Sequence, residues 1–129
     1  MRYLLDTHVL IWYFEASGKL NPKLVGIIKD SGVQACVSVA SLWEFAIKYS
    51  TGKLKFKGGL SRLYEQIRKA GFILLPVKQA HLEEVIDLPF IHRDPFDRLL
   101  VAAAKSDNMT ILTADENIHK YDVMAIDGN

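Results

Sequence analysis

The 129-residue chain reads as an α/β protein with three α/β/α layers built on a parallel sheet. Two observations predict this. Short apolar runs with β-forming composition recur along the chain, and each is separated from the next by an amphipathic stretch of helix length. Strands so short and apolar are buried on both faces, so helices must cover each side of the sheet. No repeat, low-complexity tract or linker divides the sequence, which predicts a single domain over residues 1–129.

The elements follow in order. Arg2 to Asp6 predicts the first strand, and His8 to Ala16 a helix ending near Gly18. Pro22 opens a second helix that stops at Ser31-Gly32, a C-terminal glycine signal. Val33 to Val37 is the second strand. A helix starting at about Ser38 or Ser41 reaches the neighbourhood of Ser50, with Gly52 as its stop. Lys53 to Gly59 is a basic connection, and Leu60 to Ala70 a helix closed by Gly71. Phe72 to Val77 is the third strand, with Pro76 near its end, where a missing donor is tolerated. Helices follow over Gln79 to Leu88 and Pro95 to Asp107. Met109 to Thr113 is the fourth strand, Asp115 to Lys120 a short helix, and Val123 to Ile126 the last strand. The run Ala102-Ala103-Ala104 lets its helix approach the sheet closely.

Composition narrows the class. Half the residues are hydrophobic and 24% are charged, as in a soluble globular protein. No apolar stretch approaches the roughly 20 residues of a membrane helix. Asp6 arrives too early for a signal-peptide core. The lone Cys36 lies in an apolar run and has no internal partner, which predicts a buried, reduced thiol in a cytoplasmic protein rather than a nucleophile. The net charge of +1 conceals an asymmetry. Lys48, Lys53, Lys55, Lys57, Arg62, Arg68 and Lys69 face only Glu65 within their segment, a surplus of six positive charges. That segment is either a solvated face or a surface for nucleic acid. Tyr49, Phe56 and Tyr64 within it are of the type that stacks on bases.

The acids carry the chemistry. Asp6 closes the first strand, Asp115 follows the fourth, Asp94 and Asp97 bracket Pro95 at a helix start, and Glu44 sits on the helix after the second strand. If the first and fourth strands are neighbours, a topological switch point lies between them, and all five acids gather at the carboxyl edge where ligands bind. Carboxylates so gathered repel one another unless a cation neutralises them, which points to a divalent-metal site. Each acid also has a local reading. Asp6 caps a helix, Asp94 is an N-cap before a proline at N1, Asp115 favours a helix dipole, and Ser41 to Glu44 matches a capping box. Glu44 also pairs with Lys48 four residues on. Yet Glu44 is wedged among Trp43, Phe45, Ala46 and Ile47, a poor setting for a merely solvated acid. Asp94 is a cap or a support to the ligands. Thr113 orients a carboxylate or simply ends a strand. His8, His81, His92 and His119 show no metal-ligand spacing, and His92-Arg93 reads as a solvated loop or a phosphate contact.

Leu4-Leu5-Asp6-Thr7-His8, Ser41-Leu42-Trp43-Glu44, His92 to Leu100 and Leu112-Thr113-Ala114-Asp115 together resemble PIN-domain ribonucleases, above all the VapC-type toxins of toxin–antitoxin pairs. The resemblance spans essentially the whole chain. It implies a five-stranded parallel sheet in the order 3-2-1-4-5, Mg²⁺- or Mn²⁺-dependent RNA cleavage, a homodimer and inhibition by a small antitoxin. The family's acidic quartet falls on Asp6, Glu44, Asp97 and Asp115. Ala103 stands where many relatives carry glutamine. On this reading Asp6, Asp97 and Asp115 hold the metal, while Glu44 orients or deprotonates the attacking water or binds a second ion. An inhibitor's arginine would compete for the same carboxylates, with Trp12, Tyr13, Phe14, Trp43 and Tyr49 as apolar anchors if exposed.

Two other readings compete. A receiver domain needs an aspartate ending the third strand and a lysine ending the last, where this chain has Leu75-Pro76-Val77 and Ile126-Asp127. A catalytically silent PIN domain that binds RNA or a protein partner is distinguished only by assay.

Overall fold

The computed structural model describes residues 1–127; Gly128 and Asn129, the end of the predicted domain, lie outside the described residues. Five parallel strands form one sheet in the order β3-β2-β1-β4-β5. They are β1 (Arg2–Leu5), β2 (Gln34–Ser38), β3 (Ile73–Leu75), β4 (Thr110–Thr113) and β5 (Ala125–Asp127). The helices are α1 (Thr7–Phe14), α2 (Pro22–Lys29), α3 (Val39–Ser50), α4 (Gly59–Ala70), α5 (Gln79–Asp87) and α6 (Pro95–Asp107). The order expected from the resemblance holds, and β1 lies between β2 and β4 at the switch point.

Alternation along each strand divides the interior in two. Tyr3, Leu5, Val37 and Leu112 face a core with Leu42, Phe45, Leu63 and Ile67 from α3 and α4. Leu4, Cys36 and Ile111 face the other, with Leu100 to Ala104 of α6 and Leu88. The small alanines of α6 are almost wholly buried, as expected for a helix pressed on the sheet. Burial pushes the Cys36 thiol up, which removes it from consideration as a nucleophile. The basic connection between α3 and α4 is pinned inward by Phe56 and half-buried Leu54, so Lys53, Lys55 and Lys57 face solvent.

Several boundaries differ from expectation. α1 ends at Phe14, and Ala16 rather than Gly18 takes the left-handed turn at φ 50. α2 ends at Lys29, and Asp30 accepts from the Gly32 N–H at 2.9 Å, so an aspartate turn replaces the glycine cap. β3 is only three residues long and its Ile73 and Leu74 are exposed, as suits an edge strand. The short helix expected from Asp115 shrinks to a 3₁₀ turn over Ile118–Lys120. Gly71 closes α4 as expected, in the left-handed conformation.

A buried histidine ties α5 to α6. The ring Nδ1 of His81 accepts from the Lys78 N–H at 3.2 Å, so its Nε2–H donates to Asp107 at 3.0 Å. Lys78 Nζ stands 3.5 Å from the same carboxylate oxygen. Burial works against the Asp107 charge, but the His81 hydrogen bond and the Lys78 ammonium outweigh it and hold the group below its ordinary value. A depressed carboxylate stabilises the fold above its unfolded value of about 3.9 and loses that contribution as pH falls through the folded one. Melting curves from about pH 6 down to pH 2 should therefore show a steeper acid loss in the wild type than in Asp107→Asn. Parallel curves would show that the pair is energetically idle. His81→Ala, which removes a fully buried ring and its hydrogen bonds to Lys78 and Asp107, should cost about 1–3 kcal/mol.

Candidate metal centre at the carboxyl edge of the sheet

β1 delivers Asp6 to the edge, where its backbone N–H still donates to Leu112 of β4 at 3.0 Å. The side chain does cap α1, accepting from the Thr7 N–H at 2.7 Å on Oδ1. Its Oδ2 accepts from the Thr113 hydroxyl, also at 2.7 Å. That hydroxyl in turn accepts the Asp115 N–H at 2.9 Å, so Thr113 couples the two acids across the β1–β4 junction. Asp115 accepts from the Asn117 N–H at 2.9 Å, and this turn is what displaces the expected helix.

α3 begins at Val39 with Ser38 as its cap, so the capping box at Ser41 is absent and Glu44 lies in the second turn, only 5% exposed. One Glu44 oxygen accepts from the Thr7 hydroxyl, the other from Lys48 Nζ at 2.7 Å. Burial works against the Lys48 charge, but Glu44 and the more distant Asp94 and Asp97 raise its pKa and keep it an ammonium. Asp94 caps α6 by accepting from the N–H groups of Phe96 and Asp97 at 2.9 and 3.0 Å. Asp97 then projects inward, 8% exposed.

These five acids line one cavity of about 290 Å³ together with Lys48, His8 and Trp12. The electrostatic consequence is severe. Burial first, and then the charge of Asp6 and the closeness of Asp115 and Asp94, push Asp97 up to about 9. Burial and the Glu44 charge likewise raise Asp6, although its bonds to Thr113 and Thr7 and the nearby His8 oppose the rise. Five carboxylates share one ammonium, and the surplus donors are hard oxygens, the set that suits a small divalent cation. Potential ligand atoms of His92, Asp97 and Asp115 lie within 4.8 Å of one another, a group to which Asp6 does not belong.

His92 is the residue that sequence reasoning passed over. Its Nε2 lies 3.2 Å from Asp97 Oδ2. Its place five residues before Asp97 in the same motif was the available signal. Thr7 was missed likewise, because its bond to Glu44 spans 37 residues. Of the suggested anchors, Trp12, Tyr13 and Phe14 are half-buried against the core, while Trp43 is 62% exposed beside Phe96 and Tyr49 is also exposed.

With this geometry in place, the comparisons with known proteins are specific. The family model described as PIN domain matches residues 3–124, and the chain belongs to the PIN domain family. Curated protein sequences give no match. Among solved structures, the chain is similar to VapBC2 of Rickettsia felis bound to a promoter DNA fragment, with TM-score 0.74 and 15% identity over 100% of both chains. It is also similar to VapBC-1 of nontypeable Haemophilus influenzae, with TM-score 0.72 and 15% identity over 98% of each chain. VapBC-5 of Mycobacterium tuberculosis, a toxin–antitoxin system, gives TM-score 0.65 and 18% identity over 98% of each. At such identities the likeness is one of fold.

The raised Asp97 value fixes the sign of a pH effect. A carboxyl held at about 9 when folded and about 3.9 when unfolded contributes fully below the lower value and is lost as pH rises toward the upper one. Without metal, the wild type should lose melting temperature from about pH 4 to pH 9, and Asp97→Asn should flatten that loss. A large loss of stability in the mutant at every pH would instead assign Asp97 a structural role.

Proposed function

We propose that this chain is a metal-dependent endoribonuclease, the toxin of a toxin–antitoxin pair, acting in the cytoplasm as a homodimer. The observation that carries the proposal is the buried carboxylate cluster at the switch point, whose charge only a proton or a cation can relieve. Membership of the PIN domain family and likeness of fold to VapBC proteins support it. Among the described residues no helix is long and apolar enough to cross a membrane.

Asp6, Asp97 and Asp115 are the residues that would hold Mg²⁺, or Mn²⁺ in its place. A divalent cation there supplies Lewis acidity toward water and phosphate oxygens. Glu44 is gripped on both oxygens by Thr7 and Lys48, so its charge is already matched and the ion is left to Asp6, Asp97 and Asp115. We assign it to orient the attacking water and accept its proton. Water oxygen bonds to phosphorus as the phosphodiester P–O bond breaks, and the departing oxygen takes up a proton. The acids repel the RNA backbone, so affinity comes from the exposed lysines of the 53–57 connection. The antitoxin would place an arginine or lysine among the carboxylates and dock its apolar part on exposed Trp43.

The purified chain, freed of any inhibitor, should cleave total RNA with Mg²⁺ and not with EDTA. Asp6→Ala and Asp97→Asn should lose cleavage beyond the roughly 10–100-fold typical of changes outside the ligand shell. Expressed alone in a bacterial host, the wild type should arrest growth, whereas Asp6→Ala should not. Soluble protein with neither cleavage nor arrest would establish the silent PIN reading in its place.

Reversal of Lys53, Lys55 and Lys57 to glutamate should weaken RNA binding and flatten its dependence on salt. Each phosphate contact removed changes the logarithmic slope by about 0.7 for single strands. Unchanged affinity across several salt concentrations would make the stretch a solvated face.

A further inference from the structure

His92 meets the acidic cluster on one side and a buried polar network on the other. Its Nδ1 lies 2.8 Å from the Tyr121 hydroxyl. The same hydroxyl receives two further groups, Arg98 Nη1 at 3.2 Å and the His92 backbone N–H at 3.4 Å. Arg98 is itself fixed, donating to the carbonyls of Pro89 at 2.8 Å and of Val85 and Leu88 at 3.4 Å. A guanidinium and a backbone N–H have no acceptor atoms, so both can only donate. They occupy the lone pairs of the phenol oxygen, and its single hydrogen is left for the third partner, His92 Nδ1. That nitrogen is therefore bare, and the neutral ring carries its hydrogen on Nε2. The Nε2–H points at Asp97 Oδ2, 3.2 Å away.

We infer that His92 is not a metal ligand but the positioning residue of Asp97, with its tautomer imposed by Tyr121 and Arg98. The inference rests on the assignment of Asp97 as a ligand. A nitrogen that donates its hydrogen to a carboxylate has no lone pair for a cation, although its closeness to Asp97 and Asp115 invites the ligand reading. Asp97 is instead gripped from two directions, its backbone N–H by Asp94 and its Oδ2 by His92. This arrangement fixes the rotamer of the ligand and leaves the rest of the carboxylate for the ion. Tyr121, distant in sequence and buried behind the site, becomes part of its definition.

Two measurements test this. Nitrogen NMR of protein labelled at histidine, with the His92 signals identified by their loss in His92→Gln, reads the tautomer without any activity. The expected pattern is an unprotonated Nδ1 and a protonated Nε2, with the two nitrogens moving toward each other in Tyr121→Phe as the tautomers begin to average. A protonated Nδ1 in the wild type would overturn the inference. Mn²⁺ affinity, with the melting temperature of each variant as a check on folding, then separates positioning from ligation. His92→Ala should weaken Mn²⁺ binding about 10–100-fold, and His92→Gln, which keeps an N–H within reach of Asp97, should recover most of that loss. If wild type binds Mn²⁺ and His92→Gln is as weak as His92→Ala, His92 is a ligand and the inference fails. Wild type that binds no Mn²⁺ would overturn the metal reading itself, while the tautomer assignment still stands or falls on the NMR result.

Discussion

Repulsion among carboxylates crowded at a poorly hydrated sheet edge is the constraint around which the rest of this structure is arranged. Two like charges about 4 Å apart oppose each other by about 4 kcal/mol at an effective dielectric near 20. Whole domains are stable by only about 5–15 kcal/mol, so several bare carboxylates in one cavity are not tolerable. The chain meets the problem differently at each acid. Glu44 takes an ammonium and a hydroxyl, Asp6 takes a hydroxyl and a backbone N–H, and Asp97 is driven to hold a proton near neutral pH. What these local devices leave unmatched is negative charge that a proton or a cation would balance.

The fold exists in a form that makes this crowding unavoidable. Because β1 and β4 are parallel neighbours, the residues that follow them emerge side by side, and Thr113 can bond to Asp6 and Asp115 at once. The helices on each face then aim Glu44 and Asp97 into the same space from opposite layers. Two separate cores hold those layers, one under α3 and the other under α6. Their rigidity lets a cluster that favours separation persist.

Much of this was legible in the sequence, because it is written in local patterns. The strands are short, largely apolar runs, the α6 start is an Asp-Pro pair, and every acid of the cluster except Glu44 lies at the end or the beginning of an element. The gathering of five acids at one edge followed from that placement, whereas the quartet Asp6, Glu44, Asp97 and Asp115 is what the family resemblance implies. What was not legible depends on approach through space. Thr7 to Glu44 and His92 to Tyr121 are separated by 37 and 29 residues, and no local pattern announces such pairs; Thr113 was read as orienting a carboxylate, but its partner Asp6, 107 residues away, was not named. The errors at element ends share a cause, competition between local caps. Asp30 and Asp115 formed side-chain turns where a glycine stop and a helix were expected, and of the two starts read for α3 Ser38 rather than Ser41 is the cap. Aspartate and serine signal a boundary more dependably than they specify its geometry.

Calorimetric titration of the metal-free chain with Mn²⁺ at about pH 7, in two buffers of different ionisation heat, most directly tests whether a cation replaces the proton that the cluster otherwise demands. Since ligands must be deprotonated to bind, saturable binding should release about one proton per chain in the wild type and almost none in Asp97→Asn. Binding with no proton release, or no binding to the wild type at all, would contradict a cluster held in balance between proton and metal.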